Sequence, residues 1–214
     1  MKEIRLATVL LSISVAFAAL GDAVEVTVSD DTYIRSDQPE TNFGSEGLIV
    51  ASYDGGPPAR KGYLRFDASS LDGDELVTNI VSFVLDFTGT FARYASFYLI
   101  TGEGADDWNE DSITWSNAPA NDTVDLISFL SDETFTSTFI GNNALATGSN
   151  EFEWVSQGAM DRVVQELNTG DRKATIAFSR SGDRFAQFGT QEGGSPARMT
   201  FETASTWPLA VAED

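Results

Sequence analysis

The residues best suited to hold a charged ligand lie in one short stretch, RKGYLRFD, at positions 60–67. Lys61, Tyr63 and Arg65 occupy alternate positions, so in an extended strand their side chains share one face. An arginine holds a carboxylate through two parallel hydrogen bonds, and a lysine holds it as a point charge. We therefore expect an exposed basic and aromatic stripe that binds a carboxylate-bearing ligand, with Arg35 from the first loop as a further member. Ordinary surface ion pairs are the alternative interpretation.

A second stretch, ADDWNEDSITWSNAPAND at 105–122, places two tryptophans seven residues apart among acidic residues. A tryptophan face can stack on a pyranose ring, and Trp108 is the better exposed candidate for such a contact. The acidic residues could offer oxygen ligands to Ca²⁺, but they lack the alternation and the glycine of an EF-hand loop. We interpret the stretch mainly as a structural corner with Trp115 buried, and we keep Trp108 as a candidate ligand-binding residue.

The composition excludes several classes of catalyst. The chain has no histidine and no cysteine, so it cannot form a Ser-His-Asp triad, a cysteine nucleophile or a histidine-based zinc site. A pair of carboxylates could serve a glycosidase, although no pair among the 33 acidic residues stands out. A small polysaccharide lyase that uses Tyr63 with Arg65 or Lys61 is a minor alternative to a non-catalytic binding role.

The charge of the chain limits its partners. The formal charge is −20 and the isoelectric point lies near 4.1, which argues against nucleic acid, because phosphate binding needs a basic surface. Hydrophobic residues make up 42% of the chain and aromatic residues 11%, which indicates a packed core rather than disorder. A chain of 214 residues is long enough to fold as one domain without disulfides.

The N-terminus has the order of features found in a secretory signal peptide. The basic residues Lys2 and Arg5 precede an apolar and small-residue run at 6–20, and small residues ending at Ala18 or Ala23 offer cleavage sites. This run is shorter than the roughly 20 residues that a bilayer requires. We assign residues 1–23 to a signal peptide and expect a secreted mature protein that no segment holds in a membrane.

The elements that must position these residues are mostly short strands, because apolar residues alternate with polar ones between breaks of Gly, Asp, Asn and Pro. The strand candidates are VEVTVS (24–29), GLIVAS (47–52), RKGYLRFD (60–67), VSFVLDF (81–87), ASFYLI (95–100), SITW (112–115), EFEWV (151–155), KATIAFS (173–179), RFAQFG (184–189) and ARMTFE (197–202). In VSFVLDF, we expect the alternate residues Val81, Phe83, Leu85 and Phe87 to face the core. Only GAMDRVVQELNTG (158–170) has helical spacing. The pattern predicts an all-β antiparallel β-sandwich of the jelly-roll type with one short helix.

Five phrases, in their order along the chain, resemble those of the DNRLRE-domain family. They are DDTYIRSDQPETNFGSEGLIVAS, RKGYLRFDASSL, WNEDSITWSNAP, the helical segment, and IAFSRSGDRFAQFGTQEGGSPARMTFE. That family of β-sandwich modules includes carbohydrate-binding modules attached to alginate lyases and domains related to archaeal disaggregatases. Where such domains often end a strand with Ser-Arg-Glu or Ser-Lys-Glu, this chain reads SRSGDRF. The resemblance implies a carbohydrate-binding domain over residues 24–203, followed by a C-terminal tail over residues 204–214.

The resemblance implies a protein that binds polysaccharide without catalysing a reaction, and the basic stripe favours an acidic, uronate-containing polymer such as alginate. The alternative is a structural or adhesive surface protein that packs against copies of itself or against another protein. Jelly-roll sugar-binding modules commonly hold a structural Ca²⁺ between the first and last strands. Asp30, Asp31 and Glu202 are the residues whose oxygens we expect to supply such a site.

Overall fold

The structure is a computed structural model that describes residues 23–53, 55, 58–89, 93–180 and 182–205. Most of the predicted signal peptide, residues 1–22, and most of the predicted tail, residues 206–214, lie outside the described residues, so both assignments stay predictions. The elements in chain order are β1 (Ala23–Thr27), β2 (Asp30–Arg35), β3 (Leu48–Tyr53), β4 (Arg60–Asp67), β5 (Glu75–Phe87), β6 (Arg93–Gly102), β7 (Phe135–Leu145), β8 (Gly148–Glu151), α1 (Gln157–Leu167), β9 (Lys173–Ser179), β10 (Gly182–Gly189) and β11 (Arg198–Ser205).

Two antiparallel sheets make up the fold. The first sheet has the order β1, β11, β5, β10 and β3, with β8 paired to the end of β5. The second sheet has the order β2, β4, β9, β6 and β7. A single bridge between Ser52 and Arg60 joins β3 to β4, so the two sheets meet along one edge. The predicted antiparallel β-sandwich of the jelly-roll type, with a single helix, is confirmed for the described residues.

The core between the sheets is formed by the apolar residues that alternate along the strands. Leu64 and Phe66 of β4 point into it, as predicted, and both are almost completely buried. The ring of Phe178 lies 5.0 Å from that of Phe97 and 4.9 Å from that of Phe188, which links three strands from the two sheets. Each such side chain contributes about 1.5–3 kcal/mol to folding when it is buried. Packing of this kind stabilises the domain without a disulfide.

The helix is fixed at both ends by side chains. Ser156 begins it, and its hydroxyl accepts a hydrogen bond from the Ala159 backbone at 3.2 Å. Ala159 and Leu167 are buried against the core. At the other end, the amide side chain of Asn168 bonds the backbone N–H and C=O of Val77 at 2.8 and 2.7 Å, which ties the helix to β5. Among the described residues, no helix has the length and apolar character needed to span a bilayer.

The outer face of the second sheet is covered by the segment between β6 and β7, residues 103–134, which we call the cover segment. Apolar side chains from both sides form a second buried cluster beneath it: Ile34, Tyr63, Ile100 and Ala177 from the sheet, and Ala105, Trp108, Ile113, Trp115, Ala118, Ala120 and Phe129 from the cover segment. The second sheet is therefore buried on both faces where the cover segment lies on it.

Several details differ from the sequence prediction. The predicted strand SITW is wrong, because residues 112–115 of the cover segment form turns and irregular backbone, although Ile113 and Trp115 are buried. The predicted strand EFEWV is mostly irregular, since β8 ends at Glu151. The β2 and β7 strands were not among the predicted strands.

Val81 faces solvent, contrary to the prediction that it belongs to the core. Ile80 pairs with Phe201 and Ser82 pairs with Thr200, so β5 has one extra residue at this point of its ladder. Such a β-bulge shifts the alternation of the strand by one residue. Ile80 is therefore buried on one side of the bulge, while Val81 is 49% exposed.

Candidate functional site

Lys61 is buried, contrary to the prediction that it belongs to an exposed stripe. Its ammonium group lies beneath the cover segment and is inaccessible to solvent. It donates hydrogen bonds to Asn121 Oδ1 at 2.8 Å, to the Asp122 carbonyl at 2.9 Å and to the Ser128 carbonyl at 2.6 Å. These three bonds hold a bend of the cover segment against β4, so Lys61 has a structural role here.

The surroundings of this ammonium are typical of a cation site. The centres of the Trp115 and Phe129 rings lie 4.9 and 5.0 Å from Lys61 Nζ, within the range of a cation–π interaction. Burial lowers the pKa of Lys61 to about 7, while the nearby charges of Asp122 and Asp125 act in the opposite direction. Three short hydrogen bonds require three N–H donors, which only the charged ammonium has. The geometry therefore fits the protonated form.

Tyr63 is also buried rather than exposed. Its hydroxyl donates a hydrogen bond to the Pro119 carbonyl at 3.0 Å, and its ring packs edge-on against Trp108 and Phe129, each with ring centres 6.0 Å apart. Burial raises the pKa of Tyr63 well above its ordinary value. The hydroxyl can therefore neither contact a ligand from solvent nor serve readily as the base of a lyase.

Arg65 and Trp108 belong to the same buried assembly. The guanidinium of Arg65 pairs with Asp30, donates to the Asp106 carbonyl at 2.9 Å, and lies 5.4 Å from the centre of the Trp108 ring. The indole N–H of Trp108 donates to the Thr175 hydroxyl at 2.8 Å, and its side chain is 7% exposed. The predictions that Arg65 and Trp108 are exposed for ligand binding are wrong, because both secure the cover segment to the second sheet.

The structure does not bring the three predicted calcium ligands together. Glu202 lies opposite Ala23 in the β1–β11 ladder, whereas Asp30 and Asp31 follow the far end of β1, beyond Thr27. Four steps of extended chain span about 13 Å, and calcium needs oxygens within about 2.6 Å of the ion. No group of three or more acidic side chains is arranged to hold a metal ion in the described part of the chain. The predicted trio is therefore not a site.

Asp31 is nevertheless unusual among the acidic residues. One carboxylate oxygen accepts a hydrogen bond from the Gln191 backbone at 3.1 Å, and the other is buried without a hydrogen-bond partner in the described structure. The pKa of Asp31 is raised to about 7, mainly by burial; the hydrogen bond from the Gln191 backbone acts in the opposite direction, and the charges of Glu192 and Glu110 add to the rise. A buried carboxylate in this setting favours a proton or a cation.

The strand ends gather a different set of basic residues at one end of the sandwich. Arg35 ends β2 directly opposite Arg60, which begins β4, and the ends of β9, β6 and β10 lie alongside. We call this end of the sandwich the arginine end, because five arginines have their backbone positions there: Arg35, Arg60, Arg93, Arg180 and Arg184. Among these five, the structure describes the side chains of Arg35, Arg60 and Arg180.

Arg35 presents its planar fork at this end. Its Nε and Nη2 atoms donate to the two carboxylate oxygens of Asp37 at 3.1 and 2.8 Å. The guanidinium carbon lies 5.5 Å from the centre of the Phe43 ring, which in turn stacks on Tyr33 at 4.7 Å. Arg35 is therefore held in place on an aromatic support while its fork stays partly accessible.

Arg60 lies beside Arg35 but, unlike Arg35, forms no ion pair with a described carboxylate. It donates to the Ser52 hydroxyl at 3.1 Å, and its guanidinium carbon lies 4.9 Å from the centre of the Phe185 ring. Partial burial lowers the pKa of Arg60, and the charge of Arg35 lowers it further. No ion pair among the described residues includes Arg60. Among the described side chains, the carboxylate of Asp37 is the one whose charge acts on both guanidinium groups.

Exposed aromatic rings flank these arginines. Phe185 is 49% exposed and Tyr94 is 62% exposed. Arg180 donates a hydrogen bond to the Tyr94 carbonyl at 2.7 Å, which fixes the arginine next to the start of β6. Guanidinium groups beside open ring faces are suited to hold a carboxylate and to stack against a sugar ring.

Of the residues predicted to bind ligand, only Arg35 lies at the arginine end. The others at this end were missed because each belongs to a different strand, and no sequence window contains two of those strand ends except around 180–185. One signal was present: basic residues stand where predicted strands begin or end beside Gly- and Pro-rich turns. Such positions converge only when the strand order is known.

The cover segment has a cavity of its own, with a volume of about 280 Å³. Its lining residues are Gly104, Asp107, Trp108, Ser112, Ile113, Asn117, Pro119 and Phe135. The only charge among them is the carboxylate of Asp107, so this cavity does not suit an anionic ligand.

Comparisons with known proteins agree with the fold. The sequence matches carbohydrate-binding module family 96 over residues 22–202, which is most of the chain. A search of curated protein sequences found no match. The match begins just before β1 and ends within β11, so it spans both sheets, the cover segment and the helix. The chain belongs to carbohydrate-binding module family 96.

Proposed function

We propose that this protein binds an acidic, uronate-containing polysaccharide such as alginate, and that it does so at the arginine end without catalysing a reaction. One observation carries the proposal. Three arginines whose side chains the structure describes, Arg35, Arg60 and Arg180, lie at one end of the sandwich next to two exposed aromatic rings, in a chain with a formal charge of −20. An arrangement that concentrates like charges in this way favours a ligand of opposite charge.

The chemistry of a uronate polymer matches this end. Each uronate ring carries a carboxylate that a guanidinium can hold bidentately, and each pyranose ring has C–H groups that pack on an aromatic face. Arg35 and Arg60 are directly opposite each other in the β2–β4 ladder, where backbones lie about 5 Å apart. Neighbouring carboxylates along one polymer chain could therefore each contact an arginine.

The remaining surface supports the same proposal. Outside the arginine end, acidic residues dominate and repel a polyanion, which favours one docking position over many. The absence of histidine and cysteine and the burial of Tyr63 support a non-catalytic role. We further propose that the protein is secreted, because its N-terminus has the features of a signal peptide and extracellular matrices are where such polymers occur.

Affinity gel electrophoresis tests the binding proposal. The purified protein should be retarded in gels that contain alginate or polygalacturonate, and should migrate unretarded in gels with a neutral glucan. The double variant Arg35→Ala with Arg60→Ala should lose the retardation, while Arg162→Ala, an exposed arginine on the helix, should keep it. Thermal melts of each variant confirm that the fold is intact.

Other outcomes separate the alternatives. No retardation in any gel, together with self-association in sedimentation experiments, would favour a structural or adhesive protein. Retardation by neutral glucan that persists in the double variant would place the ligand elsewhere. Release of unsaturated uronate, followed by its ultraviolet absorbance, would show a lyase and overturn the non-catalytic part of the proposal.

A further inference from the structure

We infer that Asp37 occupies the place of a ligand carboxylate in the fork of Arg35, so that it competes with the polysaccharide and limits the affinity of the arginine end. This inference rests on the proposed function, since it concerns the same site. It assigns a specificity-determining role to a residue that itself need not contact the ligand.

The geometry of the pair carries the first step. Both oxygens of Asp37 accept hydrogen bonds from Arg35, one from Nε at 3.1 Å and one from Nη2 at 2.8 Å. This side-on, two-bond arrangement is the one that a free carboxylate adopts on a guanidinium. A uronate carboxylate that uses the same donors must therefore displace Asp37.

The exposure of the pair makes displacement feasible. The side chain of Asp37 is 35% exposed and that of Arg35 is 20% exposed. Asp37 sits in a turn in which the Gln38 backbone donates to the Arg35 carbonyl at 3.3 Å, so the carboxylate is held by proximity along the chain and not by packing. Ion pairs with this exposure are weak, because water solvates both partners and salt screens them.

The fork of Arg35 does not depend on Asp37 for its position. The guanidinium lies over Phe43, which is itself buried and stacked on Tyr33. An aromatic support of this kind restricts the arginine side chain independently of its anion. Removal of the Asp37 charge should therefore leave a preorganised fork that is open to ligand.

The neighbouring arginine adds to the competition. Asp37 is the carboxylate whose charge acts on both Arg35 and Arg60. Without it, the two guanidinium groups would lose the described carboxylate that acts on both of them, and their mutual repulsion would increase the attraction for a ligand carboxylate. Asp37 thus stabilises the unliganded arginine end and weakens ligand binding by the same contact.

Calorimetric titration with alginate oligosaccharides tests the inference. Asp37→Asn should bind about two- to five-fold more tightly than the parent, the range that corresponds to losing one exposed ion pair. Asp37→Ala should behave likewise. Glu46→Gln removes an equal charge from an exposed position in the same loop, and should change the dissociation constant by much less because its carboxylate makes no bond to Arg35 in the described structure.

A second ligand pair sharpens the test. The gain in Asp37→Asn should appear with polygalacturonate oligosaccharides and disappear with their methyl esters, which lack the charged carboxylate. Unchanged or weaker binding by Asp37→Asn and Asp37→Ala, with a parent that binds, would overturn the inference and show that Asp37 positions Arg35 instead. Absence of binding by the parent protein would overturn the proposed function itself, so the two failures are distinguishable.

Discussion

The ammonium of Lys61 in β4 lies 2.8 Å from the side-chain oxygen of Asn121 in the cover segment. The amide nitrogen of Asn121 in turn donates to the Trp115 carbonyl at 2.7 Å. One lysine and one asparagine therefore connect a central strand to the two bends that shape the segment above it. This buried polar connection is fully satisfied, which is the condition under which such connections stabilise a fold.

Replacement of Lys61 should destabilise the protein strongly. Lys61→Met keeps most of the side-chain volume but leaves the Asn121 oxygen and two carbonyls buried without a donor, and we expect the free energy of unfolding to fall by about 3–5 kcal/mol. Urea titration measures this change. Arg162→Met, an exposed basic residue changed in the same way, should alter it by less than about 0.5 kcal/mol. A loss as small for Lys61→Met would contradict the structural role.

Arg65 should matter for stability and not for ligand binding. Arg65→Ala leaves Asp30 without its partner in a nearly buried pair whose side chains are 14% and 8% exposed, so we expect a loss of about 2–4 kcal/mol. Under conditions where the variant stays folded, its retardation in an alginate gel should equal that of the parent. If Arg65→Ala instead loses retardation while its melting temperature stays normal, Arg65 contacts the ligand and this prediction is wrong.

The stability of the protein should depend on pH through Asp31. Its pKa is about 7 in the folded state and near 3.8 in the unfolded chain, so the folded state binds the proton more tightly. Stability from this group is therefore present at low pH and is lost as the pH rises from about 4 to about 7. Asp31→Asn should remove up to about 4 kcal/mol of the difference in unfolding free energy between pH 4 and pH 8. Urea titrations at both pH values measure it.

The control for this pH dependence is Glu103→Gln, an exposed carboxylate in the cover segment. Glu103→Gln should leave the difference in unfolding free energy between pH 4 and pH 8 nearly unchanged. If Asp31→Asn also leaves that difference unchanged, the carboxyl of Asp31 does not titrate in this window.

Calcium binding stays a prediction and now centres on Asp31 rather than on Glu202. If the unpartnered oxygen of Asp31 holds Ca²⁺, millimolar calcium should raise the melting temperature and EDTA should lower it, because a ligand of the folded state stabilises by mass action. The shift should vanish in Asp31→Asn. A shift that persists in this variant would mean that the ion binds elsewhere, and no shift in the parent would remove the prediction.

The exposed aromatic rings of the arginine end should contribute to affinity through stacking. Phe185→Ala removes the ring that lies against Arg60, and we expect it to weaken binding of alginate oligosaccharides by about 1 kcal/mol, or roughly five-fold. Val124→Ala truncates an even more exposed apolar side chain in the cover segment and should leave the dissociation constant unchanged. Equal affinity in the two variants would show that the ligand does not contact Phe185.

Sequence alternation predicted which residues of a strand share a face, but not what covers that face. In β4 the division between Leu64 and Phe66 on one side and Lys61, Tyr63 and Arg65 on the other is correct. The second side was expected in solvent because its residues are polar. The cover segment, which begins some 40 residues later in the chain, buries it and supplies the partners that make burial of Lys61 and Arg65 favourable.

The proposed ligand site could not be predicted from local sequence patterns for a related reason. Arg35 and Arg60 become neighbours through the β2–β4 pairing, and Phe185 reaches Arg60 only because β10 lies beside β3. Pairings of this kind depend on strand order, which short periodic segments do not specify. Strong local patterns predicted the bounds of the strands β4 and β9 correctly and those of the helix α1 to within three residues.

The antiparallel pairing of β1 with β11 has a consequence for how the protein can be tethered. Ala23 lies opposite Glu202, and Ser205 lies opposite the first residue of β5, whereas the arginine end lies beyond the other end of β5. The 13 residues of β5 span roughly 40 Å. A linker or surface attached before residue 23 or after residue 205 would therefore hold the domain at the end where β5 begins. The arginine end would then face away from the point of attachment. Protein that is immobilised through either terminus should therefore bind long polymer chains with the same affinity as the free protein.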